Sequence, residues 1–153
     1  MPTIGLISDT HGLVRPGCFT ALDGVELILH AGDVGEGVLD ELGAIAPVRA
    51  VAGNTDFDDE PRLAPALDLV VGGVTIHVSH GHEMGRPKPE ALLARYDARV
   101  VVFGHTHEAV VRWNGPRVAV NPGAAGPARF NLRPSVARLT VRGDTVEVDI
   151  VEL

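Results

Sequence analysis

Five short apolar runs in this 153-residue chain each end in residues able to bind a metal ion or move a proton. Thr3 to Ser8 leads into Asp9-Thr10-His11-Gly12, Glu26 to His30 into Gly32-Asp33, and Val48 to Ala52 into Gly53-Asn54-Thr55-Asp56. Val74 to Ser79 leads into His80-Gly81-His82, and Arg99 to Phe103 into Gly104-His105-Thr106-His107. Carboxylate, carboxamide and imidazole together make a donor set for divalent transition metals. Each motif alone is ordinary, because an aspartate after a strand commonly caps a helix or bonds its own backbone, and Gly-Asp and Gly-Asn are frequent turn pairs. Gly-His-x-His says more, since alternate residues of an extended chain share a side and would aim two imidazoles at one centre. The ordered recurrence at five run ends is what points to metal chemistry.

The runs that must position these residues are short, rich in Val and Ile, and continuous rather than alternating, the pattern of strands buried on both faces. Between them, Gly17 to Leu22, Gly37 to Gly43 and Pro89 to Tyr96 read as short helices, the last with proline in its first turn. Strand, crossover, strand implies a mostly parallel sheet, and ligands in such sheets bind beyond the carboxyl ends of the strands. The five polar ends therefore should converge on one crevice. The second half reads as hairpins: Val110 to Trp113 with Arg117 to Asn121 around Asn114-Gly115, and Val136 to Val141 with Thr145 to Glu152 around Arg142-Gly143-Asp144. Leu67 to Val71 and Val74 to Val78 around Gly72-Gly73 suggest another. The expected fold class is α/β, a four-layer αββα sandwich of two mixed β-sheets with a metal site at the strand C-terminal ends. No linker or repeat divides the chain, so residues 1–153 are expected to form a single domain.

Thirteen Lys and Arg against twenty Asp and Glu give a net charge of −7, and the basic residues form no run. Extended nucleic-acid binding is therefore not expected, because phosphate neutralisation there needs basic patches. Any phosphate must be attracted by something other than surface charge. The lone cysteine, Cys18, excludes an intrachain disulfide framework and a multi-thiolate metal site, and reads as a buried apolar residue. The N-terminal MPTIGLISDTHG has no basic region ahead of a long apolar stretch, and no run is long enough to span a bilayer. The expectation is a cytoplasmic protein with no membrane contact; a homo-oligomer is left open.

The ordered set of motifs, from Ile4 to Asn121-Pro122-Gly123, resembles the calcineurin-like metallophosphoesterase family, and most closely its small bacterial and archaeal phosphodiesterase branch. The resemblance implies that the metal site at the strand C-terminal ends is a dinuclear metal site, with two divalent ions per chain. Asp9, His11 and His107 would hold one, Asn54, His80 and His105 the other, and Asp33 would bridge them, with Asp33, Asn54 and His80 also serving as catalytic residues. Mixed imidazole and oxygen ligation suits Mn, the expected ion, or Fe, Ni, Co or Zn, rather than Ca or Mg. Two such ions offset by two carboxylates leave a positive pocket in an acidic protein. A hydroxide bridging them would attack phosphorus in line with the leaving oxygen of a small phosphate ester, so no side-chain nucleophile is needed.

Thr55 stands where many members of the wider family carry a histidine, and threonine is no general acid at neutral pH. The change favours diesters whose leaving groups need little protonation. Thr55 and His82 are expected to touch substrate or to support ligands. His30 reads equally as a ligand-orienting or an ordinary strand-end histidine, His77 as facing away from the site, Asp56 as a turn residue or a support for Asn54, and Asp58-Asp59-Glu60 as a solvated edge. The competing reading is a non-catalytic protein-interaction scaffold, as in the retromer subunit that resembles this family with a weakened metal site. Here all seven positions keep ligand-type side chains.

Overall fold

Along β1 (Thr3–Ile7) the side chains of Ile4 and Leu6 point to one side and Ile7 to the other, and all three are buried. A strand that is apolar on both faces needs a cover on each, and the chain supplies a second sheet on one side and helices on the other. The computed structural model describes residues 1–57, 59–129 and 131–153.

The first sheet adds β2 (Leu27–His30), β3 (Val48–Val51) and β4 (Leu63–Ala64), each parallel to its neighbour, beyond β1. On the other side of β1 lies the antiparallel hairpin of β10 (Ser135–Arg142) and β11 (Thr145–Glu152). The second sheet has the order β5 (Leu67–Val71), β6 (Val74–Val78), β7 (Val100–Val102), β9 (Arg117–Asn121), β8 (Val110–Asn114). Its centre is parallel and its two edge pairs antiparallel, so both sheets are mixed.

Between the sheets Ile4, Leu6, Leu29 and Leu139 meet Ile76, Val78, Val102 and Val120. Outside the first sheet, α1 (Gly17–Ala21) and α2 (Val38–Gly43) bury Cys18, Val38 and Leu42 against Ile7, Ile28 and Val136. Outside the second, α3 (Pro89–Arg95) packs Leu92 and Leu93 on Val101, Phe103 and Ala119. The layers are helix, sheet, sheet, helix, as the sequence implied. Two short elements were not anticipated: β4, which Pro65 follows immediately, and a 3₁₀ turn over His82–Met84. Both are below the length at which hydrophobic periodicity is readable. Asp59 is exposed and Glu60 pairs with Arg62, as a solvated edge should; Asp58 lies outside the described residues. Among the described residues no helix is long and apolar enough to cross a membrane.

Leu29 is fully buried where the sheets meet. Leu29→Ala should lower unfolding free energy by about 2–5 kcal/mol, read as a fall in urea midpoint at unchanged m. A loss under about 1 kcal/mol would mean that the sheets do not share this core.

Candidate metal centre

β1, β2 and β3 of one sheet and β6 and β7 of the other end on the same rim. Asp9, Asp33 and Asn54 follow the first three, and His80 and His105 the last two. Backbone bonds tie these ends together: Asp9 N–H donates to the Gly32 carbonyl (3.0 Å), His11 N–H to Asp33 (3.0 Å) and Gly104 N–H to His80 (2.9 Å). A further bond crosses between the sheets, from His105 N–H to Asp9 Oδ2 at 3.1 Å.

The side chains gather in two groups. Asp9, His11 and His107 place ligand atoms within 4.8 Å of one another, and so do Asp33, His80 and His105. His107 Nε2 lies 3.4 Å from Asp9 Oδ1, and His80 Nε2 lies 3.3 Å from Asp33 Oδ2. Asp33 Oδ2 is also 3.7 Å from His11 Nε2, and Asp9 Oδ1 is 3.9 Å from His80 Nε2, so each carboxylate faces both groups. Asn54 Oδ1 sits 3.1 Å from His105 Nδ1, beside the second group. All seven residues singled out from the sequence are thus brought together.

Their route there differs from the extended geometry expected of Gly-His-x-His. His105 and His107 have φ of 75° and 65°, and they turn to different groups instead of one centre. Asp9, His11 and Asp33 are left-handed too, at 54°, 46° and 55°. A left-handed residue reverses the chain within one step, which points a side chain back over the end of its own strand.

Burial opposes ionisation of Asp9, but the nearby His107 and His80 imidazoles and the Ser8 hydroxyl, which donates to Oδ2, outweigh it and hold the carboxyl below its ordinary range. Asp33 is held well below the carboxylate range in the same way: burial works against it, while His80 and the Thr55 N–H (3.0 Å) prevail. Burial alone would push His80 down, yet the two aspartates raise it; burial and His80 together lower His105. His80 Nδ1–H donates to the Ala31 carbonyl at 2.8 Å, leaving Nε2 to face the crevice.

The donor set fits a pair of divalent ions. Asp9 Oδ1 and His11 Nε2 are buried with no hydrogen-bond partner among the described residues, a costly state that coordination would relieve. Glycines make room for the carboxylates: a Cβ on Gly53 would lie 2.1 Å from Asp33 Oδ1, and one on Gly104 2.7 Å from Asp9 Oδ2.

Supporting residues were less visible in sequence. His30 is fully buried; its Nδ1 accepts from Gly32 N–H (3.1 Å) and its Nε2–H donates to Thr10 Oγ1 (2.9 Å), which donates to the Val34 carbonyl (2.6 Å). Burial pushes His30 down to about 4, so the ring is neutral at physiological pH and fixes the backbone on either side of Asp9, His11 and Asp33. Asp56 accepts from Val34, Gly35 and Gly53 N–H, joining two loops. Asn121 donates to the Gly104 carbonyl (3.2 Å) and Thr106 Oγ1 (3.0 Å) and holds the loop bearing His105 and His107. Thr55 lines the cavity above the groups, whereas His82 is exposed, 5.4 Å from His80 ring to ring, and in neither group. His77 faces α3's side, bonded to Asp68 and stacked on Tyr96. The cavity, about 320 Å³, also has Arg86 and Arg129 on its walls. Neither has a sequence signal, for each is a single basic residue in a loop.

Two sheets with paired metal-ligand groups at one rim define a metallophosphoesterase-type protein, and the comparisons agree. Residues 3–144 match the calcineurin-like phosphoesterase superfamily domain, and the chain belongs to that family. It is 33% identical over 97% of its length to a probable metallophosphoesterase of Methanothermobacter thermautotrophicus, 91% of which is covered. It is 27% identical to a phosphodiesterase of Methanocaldococcus jannaschii, with 78% of this chain and 82% of that one aligned. In fold it is similar to Chaetomium thermophilum Vps29, at a TM-score of 0.81 and 22% identity over 100% of this chain and 97% of that one.

Gly53→Ala should displace the Asp33 carboxylate and weaken divalent-metal binding at least about tenfold by titration calorimetry, a loss of about 1.4 kcal/mol. Gly43→Ala, where a Cβ meets nothing within 4 Å, is the control and should leave binding unchanged. Equal metal affinity in the two variants would show that Asp33 takes no part in the site.

Proposed function

We propose that this chain is a dinuclear metal-dependent phosphodiesterase acting on small phosphate esters. The observation that carries the reading is the pair of ligand groups with a carboxylate facing both. Asp9, His11 and His107 would hold one ion, Asn54, His80 and His105 the other, and Asp33 would bridge them. When bound, such ions supply an activated water nucleophile and neutralise charge developing on phosphorus. Mixed nitrogen and oxygen ligation suits manganese, with iron, nickel, cobalt or zinc the alternatives.

The chain's own residues do the positioning. Asp33, kept ionised by His80 and the Thr55 N–H, stands between the groups; His80 is fixed through Nδ1 so that Nε2 alone faces the crevice. Asn54, which lines the cavity beside Asp33, and the fully buried His80 would serve catalysis as ligands of the second ion. Thr55 offers no proton at neutral pH, which favours diesters with good leaving groups. The kinship with a phosphodiesterase supports the same substrate class. Residues 1–153 act as one domain in this reading, and the lone buried thiol suits a reducing cytoplasm.

Elemental analysis after reconstitution should approach two ions per chain, and the loaded protein should hydrolyse bis(4-nitrophenyl) phosphate. A stoichiometry near zero in excess metal would overturn catalysis and favour a scaffold like Vps29 in fold. Asp33→Ala should abolish activity, by at least about 10³-fold, while His82→Ala should cost far less, because Asp33 faces both groups and His82 belongs to neither. Equal losses in kcat/KM, with circular dichroism native in both, would move His82 into the ligand set.

A further inference from the structure

Arg49, Arg86 and Arg129 stand apart from the other arginines of this acidic chain. The rest each meet a carboxylate, a backbone carbonyl or an aromatic ring, as Arg62 meets Asp40 and Glu60, Arg138 the Ala21 carbonyl, and Arg95 the Tyr96 ring. Among the described residues these three have no such partner, and two of them, Arg86 and Arg129, line the cavity over the metal-ligand groups. An acidic protein has carboxylates to spare for surface arginines, so two unpaired guanidiniums on the wall of one polar cavity mark a place for an anion.

The backbone on which each arginine sits is held in place. Arg86 lies between Gly85, left-handed at φ 73°, and Pro87, whose ring packs against Gly81 just past His80. Arg129 follows Gly126, whose N–H donates to the Asp9 carbonyl, and its own carbonyl accepts from Leu132 N–H at 2.9 Å. The two therefore approach the cavity from separate segments, one anchored beside each ligand group.

Charge decides what they are for. Two divalent ions against Asp9, Asp33 and the nucleophilic hydroxide would leave one positive charge, enough to match the single negative charge of a phosphodiester. Two guanidiniums beyond that are surplus to the scissile group. We propose that Arg86 and Arg129 clamp a second anionic group of the substrate, so that this site takes phosphate esters carrying a further phosphate or carboxylate close to the scissile phosphate. The proposal rests on the metal-dependent phosphodiesterase reading above. A guanidinium fork matches either oxyanion with two parallel hydrogen bonds, which a lysine cannot reproduce.

The test compares two probes that differ only in the second anion, thymidine 5′-phosphate and thymidine 3′,5′-bisphosphate, by titration calorimetry on the metal-loaded protein. The wild type should bind the bisphosphate at least about tenfold more tightly, as expected of one charge-assisted contact. Arg86→Ala and Arg129→Ala should each shrink that preference severalfold while leaving thymidine 5′-phosphate affinity and metal content unchanged, and Arg→Lys at either site should restore part of it. Equal affinity of the wild type for the two probes overturns the clamp. So does an equal loss on both probes in the variants, which would assign the arginines to the scissile phosphate. Binding is read without turnover. A protein that discriminates the nucleotides yet hydrolyses no diester would therefore overturn the catalytic reading and keep the clamp.

Discussion

Five of the seven candidate ligands hold their backbones in the left-handed region, and most of the architecture around the crevice follows from keeping them there. Each such non-glycine residue costs about 1–2 kcal/mol, so the five together store on the order of 5–10 kcal/mol, comparable to the whole stability of an ordinary domain. Strain on that scale persists only where surrounding structure leaves no alternative. Here the restraint comes from strand ends bonded to one another, from Asp56 joining two loops, and from a neutral histidine inside the core. The sandwich is in this sense a frame for five reversals of the chain.

Charge imposes a second demand on the same residues. Asp9 and Asp33 are almost wholly buried, yet both stay ionised because imidazoles, a hydroxyl and backbone N–H groups surround them. His30 does the opposite, remaining uncharged at full burial so that one ring nitrogen accepts while the other donates. The protein therefore divides the work among its histidines. Those on the rim share charge with carboxylates, and the one beneath them fixes geometry.

The sheets, their hairpins and the three helices were legible in the sequence because continuous Val and Ile runs, Asn-Gly and Gly-Gly turns and a helix-opening proline are local signals. The ligand types were legible for the same reason, each following the end of a run. What the sequence hid was conformation and long-range partnership. Alternation alone suggested that His105 and His107 serve one centre; the family resemblance assigned them to different ions, and positive φ at both turns them to different groups. His30 looked ambiguous because its partners, Thr10 and Gly32, lie on two different strand ends. Arg86 and Arg129 carried no signal, since only the folded chain brings their loops to one wall.

Each ligand group is drawn from both sheets: Asp9 and His11 with His107, and Asp33 with His80 and His105. Any ion they hold becomes a rivet between halves of the sandwich that otherwise adhere mainly through apolar contact. Folding and metal supply are then coupled by mass action, with each ion at a hundredfold excess over its dissociation constant adding about 2.7 kcal/mol to the native state. In a cell short of metal, the chain's lifetime would fall along with its chemistry, so abundance itself would report on the ion that the site prefers.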